Sequence, residues 1–158
     1  MALYFKEWDK VKKNVIISVK GTQLDTENEM NKLELVTEGK YYKKDNNYYV
    51  TYAETEVTGM EGTTTTVKIS DKIVTLMRFG IVNSQMVFEK GQKHVSYYDT
   101  AYGAFTIGVI ANEVNVKIDD KSAEIKVGYQ VEVDNNRTGL NNFSISVREA
   151  GGSLQRKQ

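Results

Sequence analysis

The sequence has no cysteine and no proline, and only one histidine and one tryptophan among its 158 residues. Without cysteine there can be no disulfides, no thiolate metal sites and no cysteine nucleophile, so the reducing cytoplasm is the expected compartment. Without proline, the turns fall to Gly, Asn and Asp, which tolerate positive φ. An excess of one charge is missing too. The 21 Lys and Arg residues balance 21 Asp and Glu residues, so no global field draws the chain to phosphates or anionic lipid, and neither nucleic acid nor membrane is an expected partner. The first residues, MALYFKEWDKVKKN, are interrupted by Lys6, Glu7, Asp9 and Lys10. That leaves no apolar run long enough for a signal peptide or a membrane span.

Catalytic signatures are absent as well. There is no nucleophile elbow, phosphate-binding loop, zinc-protease helix or dinucleotide glycine fingerprint. His94 is the only imidazole, and a metal site built on it would need carboxylates that no local spacing assembles. Asp134-Asn135-Asn136-Arg137-Thr138-Gly139 begins like a calcium loop, but the twelfth position, where a bidentate carboxylate belongs, is Ile145. A plain strand connection is the expected reading there, with no metal and no cofactor.

The residues that are present alternate with a period of two. Val15, Ile17 and Val19 mark a first strand, and a second runs from Lys32 to Tyr42. The turn KKDNN joins that strand to Tyr48-Tyr49-Val50-Thr51-Tyr52. TTTTVKI and IVTLMRF flank Ser70-Asp71-Lys72, and SQMVFEKG, HVSYYDT and AFTIGVI follow at short range. Val114, Val116 and Ile118, then Ile125 to Val133, then Phe143 to Val147 complete about ten or eleven strands. Connections this short favour antiparallel neighbours. The expected fold is therefore all-β, an up-and-down antiparallel barrel that closes on itself and leaves no exposed edge. Residues 1–14 are expected to form a short helical segment with Trp8 plugging one end, residues 15–149 the barrel, and residues 150–158 a flexible tail.

Charged and polar residues that interrupt strong strand patterns are the candidate site. Arg78 shares an alternate set with Val74 and Leu76, while Ile73, Thr75, Met77 and Phe79 form the opposite set, so the strand is apolar on both sides and one of them carries a buried guanidinium or its end. A buried Arg needs a partner, and Glu38 and Glu54 are the candidates. Gln85, Tyr52 and Tyr98 supply further polar contacts. Such a group serves either as a structural lock or as the floor of an anion-holding cavity. The Tyr- and Lys-rich segment YYKKDNNYY could stack on single-stranded nucleic acid, but cross-strand tyrosine pairs are ordinary sheet stabilisers and the net charge is zero.

The segment GTTTTVKISDKIVTLMRFGIVNSQMVFEKGQKHVSYYDTAYGAF resembles the YwiB-like family of bacterial β-barrel proteins. The likeness runs from about Val15 to Glu149. Its most specific features are the Thr-rich run from Gly62 to Lys68, Met77-Arg78 before Gly80, the Phe88 strand closing at Gly91, and the turn from Tyr98 to Gly103. Members often carry proline before the Tyr-Gly of that turn, where this chain has Ala101-Tyr102-Gly103. The resemblance implies a lipocalin-like, or calycin, barrel in an intracellular bacterial setting, with a small-molecule cavity and Arg78 as the position to carry over. The function expected is non-catalytic binding of a small apolar or anionic ligand within the barrel. The alternative is a structural or protein-interaction module with a filled core, whose partner could be another protein or a second copy of the chain.

Overall fold

The structure, a computed structural model, describes residues 12–24, 27 and 29–150. Its turns follow the side chains available to make them. Asp45 and Asn46 have φ of 52° and 68°, and Asp134 and Asn135 have φ of 53° and 65°. Two consecutive left-handed residues make the type I′ hairpin turn, whose twist matches that of the strands it joins. The start of the calcium-like loop is thus a two-residue strand connection.

Ten strands lie between these turns among the described residues: β1 (Lys13–Leu24), β2 (Met30–Lys44), β3 (Asn47–Ala53), β4 (Thr63–Ser70), β5 (Ile73–Gly80), β6 (Asn83–Phe88), β7 (Lys93–Thr100), β8 (Gly103–Ile118), β9 (Ala123–Val133) and β10 (Asn136–Glu149). Each pairs antiparallel with its neighbours in sequence, and β10 returns to pair with β1. The barrel expected from the hairpin rhythm is therefore closed. Two apolar runs that look separate in sequence, AFTIGVI and VNVKI, form the single strand β8. Its register against β9 shifts between Ala111 and Glu113. This bulge inserts one extra residue, so the inward set changes from odd to even numbers, from Ile107, Val109 and Ala111 to Val114, Val116 and Ile118.

The first eleven residues of the expected helical segment, Trp8 included, lie outside the described residues, as does the expected tail from residue 151 onward. Lys13 and Asn14 open β1 rather than ending a helix, because both are held in register with Tyr41 and Lys40 of β2.

One end of the barrel interior is apolar. Val15, Ile17, Val50, Val67, Val74 and Phe88 are fully buried there. The tyrosine-rich hairpin β2–β3 helps close this end. Tyr41 stacks on Tyr48 with centroids 5.6 Å apart. The Tyr41 hydroxyl donates to the Asp119 carbonyl at 2.6 Å, and the Tyr48 hydroxyl donates to Asp120 Oδ1 at 2.8 Å. Tyr42 and Tyr49 stack in the same way on the outer face, at 5.1 Å. The inner tyrosine pair thus fastens the hairpin to the β8–β9 turn, and the outer pair stiffens the hairpin itself.

Candidate functional site

The other end of the interior is polar, and register alone places its side chains in line. Tyr52 of β3 is opposite Thr65 of β4, Thr65 is opposite Arg78 of β5, Arg78 is opposite Ser84 of β6, and Ser84 is opposite Tyr98 of β7. Directly opposed residues on neighbouring strands project to the same face. These five therefore form one inward row. Arg78 continues the buried set Val74 and Leu76, as the alternation of β5 requires.

Glu54 lies just past the end of β3, continuing the inward alternation of Val50 and Tyr52. Its backbone N–H donates to the Thr63 carbonyl at 2.8 Å, which holds the side chain over the row. The side chain is only 1% exposed, and its Oε2 stands 3.9 Å from Arg78 Nε, itself in a side chain 16% exposed. Both carboxylate oxygens are already engaged. Oε1 accepts from the Thr58 hydroxyl at 2.9 Å, and Oε2 accepts from the Thr65 hydroxyl. The carboxylate is thus satisfied by hydroxyls, and the Arg78 Nε–H is not. Arg78 Nε and Ser84 Oγ are both buried without a hydrogen-bond partner among the described residues.

Tyr52 and Tyr129, both at this row, are held in their protonated form. Burial raises the Tyr52 phenol well above its ordinary range, the Glu54 carboxylate adds to the rise, and Arg78 opposes it. Burial also raises Tyr129, with Arg78 again pulling down and Tyr98 pushing up. Its ring packs edge-on against Phe88 and Phe143, at centroid distances of 4.8 and 6.1 Å. Tyr129 therefore joins the aromatic floor to the polar row.

The row brings together Arg78, Glu54, Tyr52 and Tyr98 of the candidates read from the sequence. It leaves out Glu38, which is exposed and pairs with Ile16 on the outer face of β2. Glu38 is therefore not the partner of Arg78. The alternation shows why: Leu35, Thr37, Gly39 and Tyr41 take the inner set, so Glu34, Val36, Glu38 and Lys40 must take the outer one. Gln85 is also exposed and outward, because Ser84, Met86 and Phe88 occupy the inner face of β6. Ser84, Thr65, Thr58 and Tyr129 belong to the site and were missed. Ser84 and Thr65 are small hydroxyl residues within strands and Thr58 is one in the turn between β3 and β4, with nothing local to single them out, and Tyr129 reaches the row only across the barrel. His94 stands apart, its Nε2 3.0 Å from Glu89 Oε1.

The wall beside the row is incomplete. Pairing between β6 and β7 consists of Asn83↔Asp99 and Ser84↔Tyr98 and then stops. The remainder of β6 pairs only with β5, and the remainder of β7 only with β8. At the far end of the gap, the connection after Phe88 is tied to β8 by Gly91 N–H donating to the Ala111 carbonyl at 2.9 Å. A cleft of about 450 Å³ lies at this seam, lined by Arg78, Ser84 and Ser96 from the inner face. From the outer face it is lined by Phe79, Val87, Val95 and Tyr97, with Gln85 beside them.

An all-β closed antiparallel barrel of ten strands is the class this architecture defines. Residues 17–145 match the family described as Domain of unknown function (DUF1934), and the chain belongs to that family. It is 27% identical over 114 residues to the Uncharacterized beta-barrel protein YwiB of Bacillus subtilis (strain 168), a match covering 72% of this chain and 79% of that one. Its fold is similar to the crystal structure of the ywiB protein from Bacillus subtilis, with a TM-score of 0.81 at 24% identity, over 92% of this chain and 99% of the other. The family resemblance seen in the Thr-rich, Met77-Arg78 and Phe88 segments is thus borne out.

Proposed function

We propose that this is a non-catalytic, cytoplasmic binding protein that holds a small, partly apolar ligand by an anionic group at the Arg78 end of the barrel. The observation that carries this reading is the placement of Arg78 Nε opposite Ser84 Oγ: two buried donors, facing one another in register, neither with a hydrogen-bond partner among the described residues. A buried donor left unmade costs about 1–3 kcal/mol, and two adjacent ones are matched by an oxygen-bearing ligand that accepts from both. Tyr52 and Tyr98 flank the position as protein phenols able to stack or donate. The Glu54 carboxylate supports the guanidinium from behind, its own oxygens held by threonines.

Native mass spectrometry of gently purified protein, set against its denatured mass, tests the reading. A defined excess mass that is lost on denaturation, and is missing from Arg78→Leu of unchanged fold, is the expected result. A bare chain from several growth conditions would overturn it. It would favour the second reading, a filled-core interaction module, which draws support from the exposed Phe79, Val95 and Tyr97 on one outer face.

A further inference from the structure

We infer that the seam between β6 and β7 is itself a binding site, a port through the barrel wall that takes a single-chain amphiphilic monocarboxylate. The carboxylate faces Arg78 inside and the chain lies along the outer wall. The inference rests on the reading of Arg78 as an anion partner and adds to it the entry route, the ligand class and the residues that hold the apolar part.

The cleft joins two chemistries that a closed wall keeps apart. In a paired strand, inward and outward residues line opposite faces and share no space. Here Arg78, Ser84 and Ser96 point inward, Phe79, Val87, Val95 and Tyr97 point outward, and all seven line one cleft. That is possible only because pairing lapses beyond Ser84↔Tyr98. The unpaired stretch, from Gln85 to Phe88 on one side, spans about 13 Å at ~3.3 Å per residue. The outer wall is apolar and open to solvent, with Phe79 at 60%, Val95 at 63% and Tyr97 at 72% exposure. The inner end offers a guanidinium and two serines.

Charge and size narrow the class. One guanidinium beside one carboxylate, Glu54, matches a monoanion better than a dianion, and its planar fork matches a carboxylate. Asp99, the acidic residue of the cleft, is exposed and sits at the paired end, opposite Asn83. A cleft of about 450 Å³ has room for about fifteen heavy atoms at roughly 30 Å³ each, the share of one water in the liquid, enough for a ten-carbon carboxylate.

Decanoate is a suitable probe, with decanol as its uncharged counterpart. Titrating ¹⁵N-labelled protein with decanoate should shift the Arg78 Nε–H signal and the backbone amides of Val87 and Val95 together and saturably. Decanol should bind about tenfold more weakly or worse and leave Arg78 Nε–H unmoved. Because the chain has no cysteine, Val87→Cys with Val95→Cys creates a unique pair that a short bismaleimide can staple across the seam. The stapled protein should lose at least about tenfold in decanoate affinity relative to the unstapled double variant. Three results overturn the inference: undiminished binding after stapling, shifts at Val87 and Val95 without Arg78 Nε–H, or no saturable shift. A bound mass that depends on Arg78 but survives stapling would sink the port while leaving the ligand-binding reading intact. Absence of any Arg78-dependent mass would sink that reading itself.

Discussion

Arg78 and Ser84 face each other across β5 and β6, and each buries a side-chain donor that no other described residue accepts from. Proteins seldom leave two such groups side by side for stability alone. Ser84→Ala removes one of them without opening a large cavity. It is expected to leave the urea midpoint unchanged or to stabilise by up to about 1 kcal/mol. The same variant should retain less bound mass in native spectra. A loss of stability with unchanged retention would make Ser84 a purely structural residue.

Thr65 donates to the buried Glu54 carboxylate from the neighbouring strand. Thr65→Val keeps the shape and strips the donor, so one oxygen of a side chain only 1% exposed loses its hydroxyl hydrogen bond. The cost should be about 1–3 kcal/mol by urea denaturation. Thr65→Ser should recover most of it.

Tyr52 and Tyr129 hold their protons above the ordinary phenol range, chiefly through burial. Up to about pH 10 the folded and unfolded chains both carry these protons, and stability does not depend on them. Above that, the unfolded chain ionises while the folded one does not, so unfolding releases protons and stability falls as pH rises. Each such phenol contributes a slope of about 1.4 kcal/mol per pH unit in that window. Denaturation measured at several pH values above 10 should show the decline, and Tyr52→Phe should flatten it by about one proton.

Gly39 stands on the inner face of β2, between Ile17 of β1 and Thr51 of β3. A Cβ there would fall within 3 Å of Ile17 Cδ1 and of the Thr51 carbonyl oxygen. The oxygen belongs to the barrel wall and cannot swing aside. Gly39→Ala should therefore destabilise by about 1–3 kcal/mol, the range for overpacking a filled core, read as a lowered urea midpoint. Little or no change would mean that β2 shifts freely in the wall.

Much of this barrel was legible in the sequence. Asp45-Asn46 and Asp134-Asn135 mark hairpin turns by chemistry, and alternation in IVTLMRF puts Arg78 on the side of Val74 and Leu76. The same parity argues against Glu38 and Gln85, since Tyr41 and Phe88 claim the opposite faces of their strands. What stayed hidden depends on more than one strand at a time. The bulge after Ala111 splits one strand into two apparent ones, because an extra residue reverses parity without leaving any turn residue behind.

Local sequence determined which residues alternate and where the chain reverses, because those choices are set by backbone sterics and by each strand's need for one dry face. Only the tertiary structure decided which glutamate meets Arg78, that Ser84 and Thr65 stand beside it, and that β6 parts from β7. Those are matters of register around a closed ring, fixed by the simultaneous pairing of ten strands.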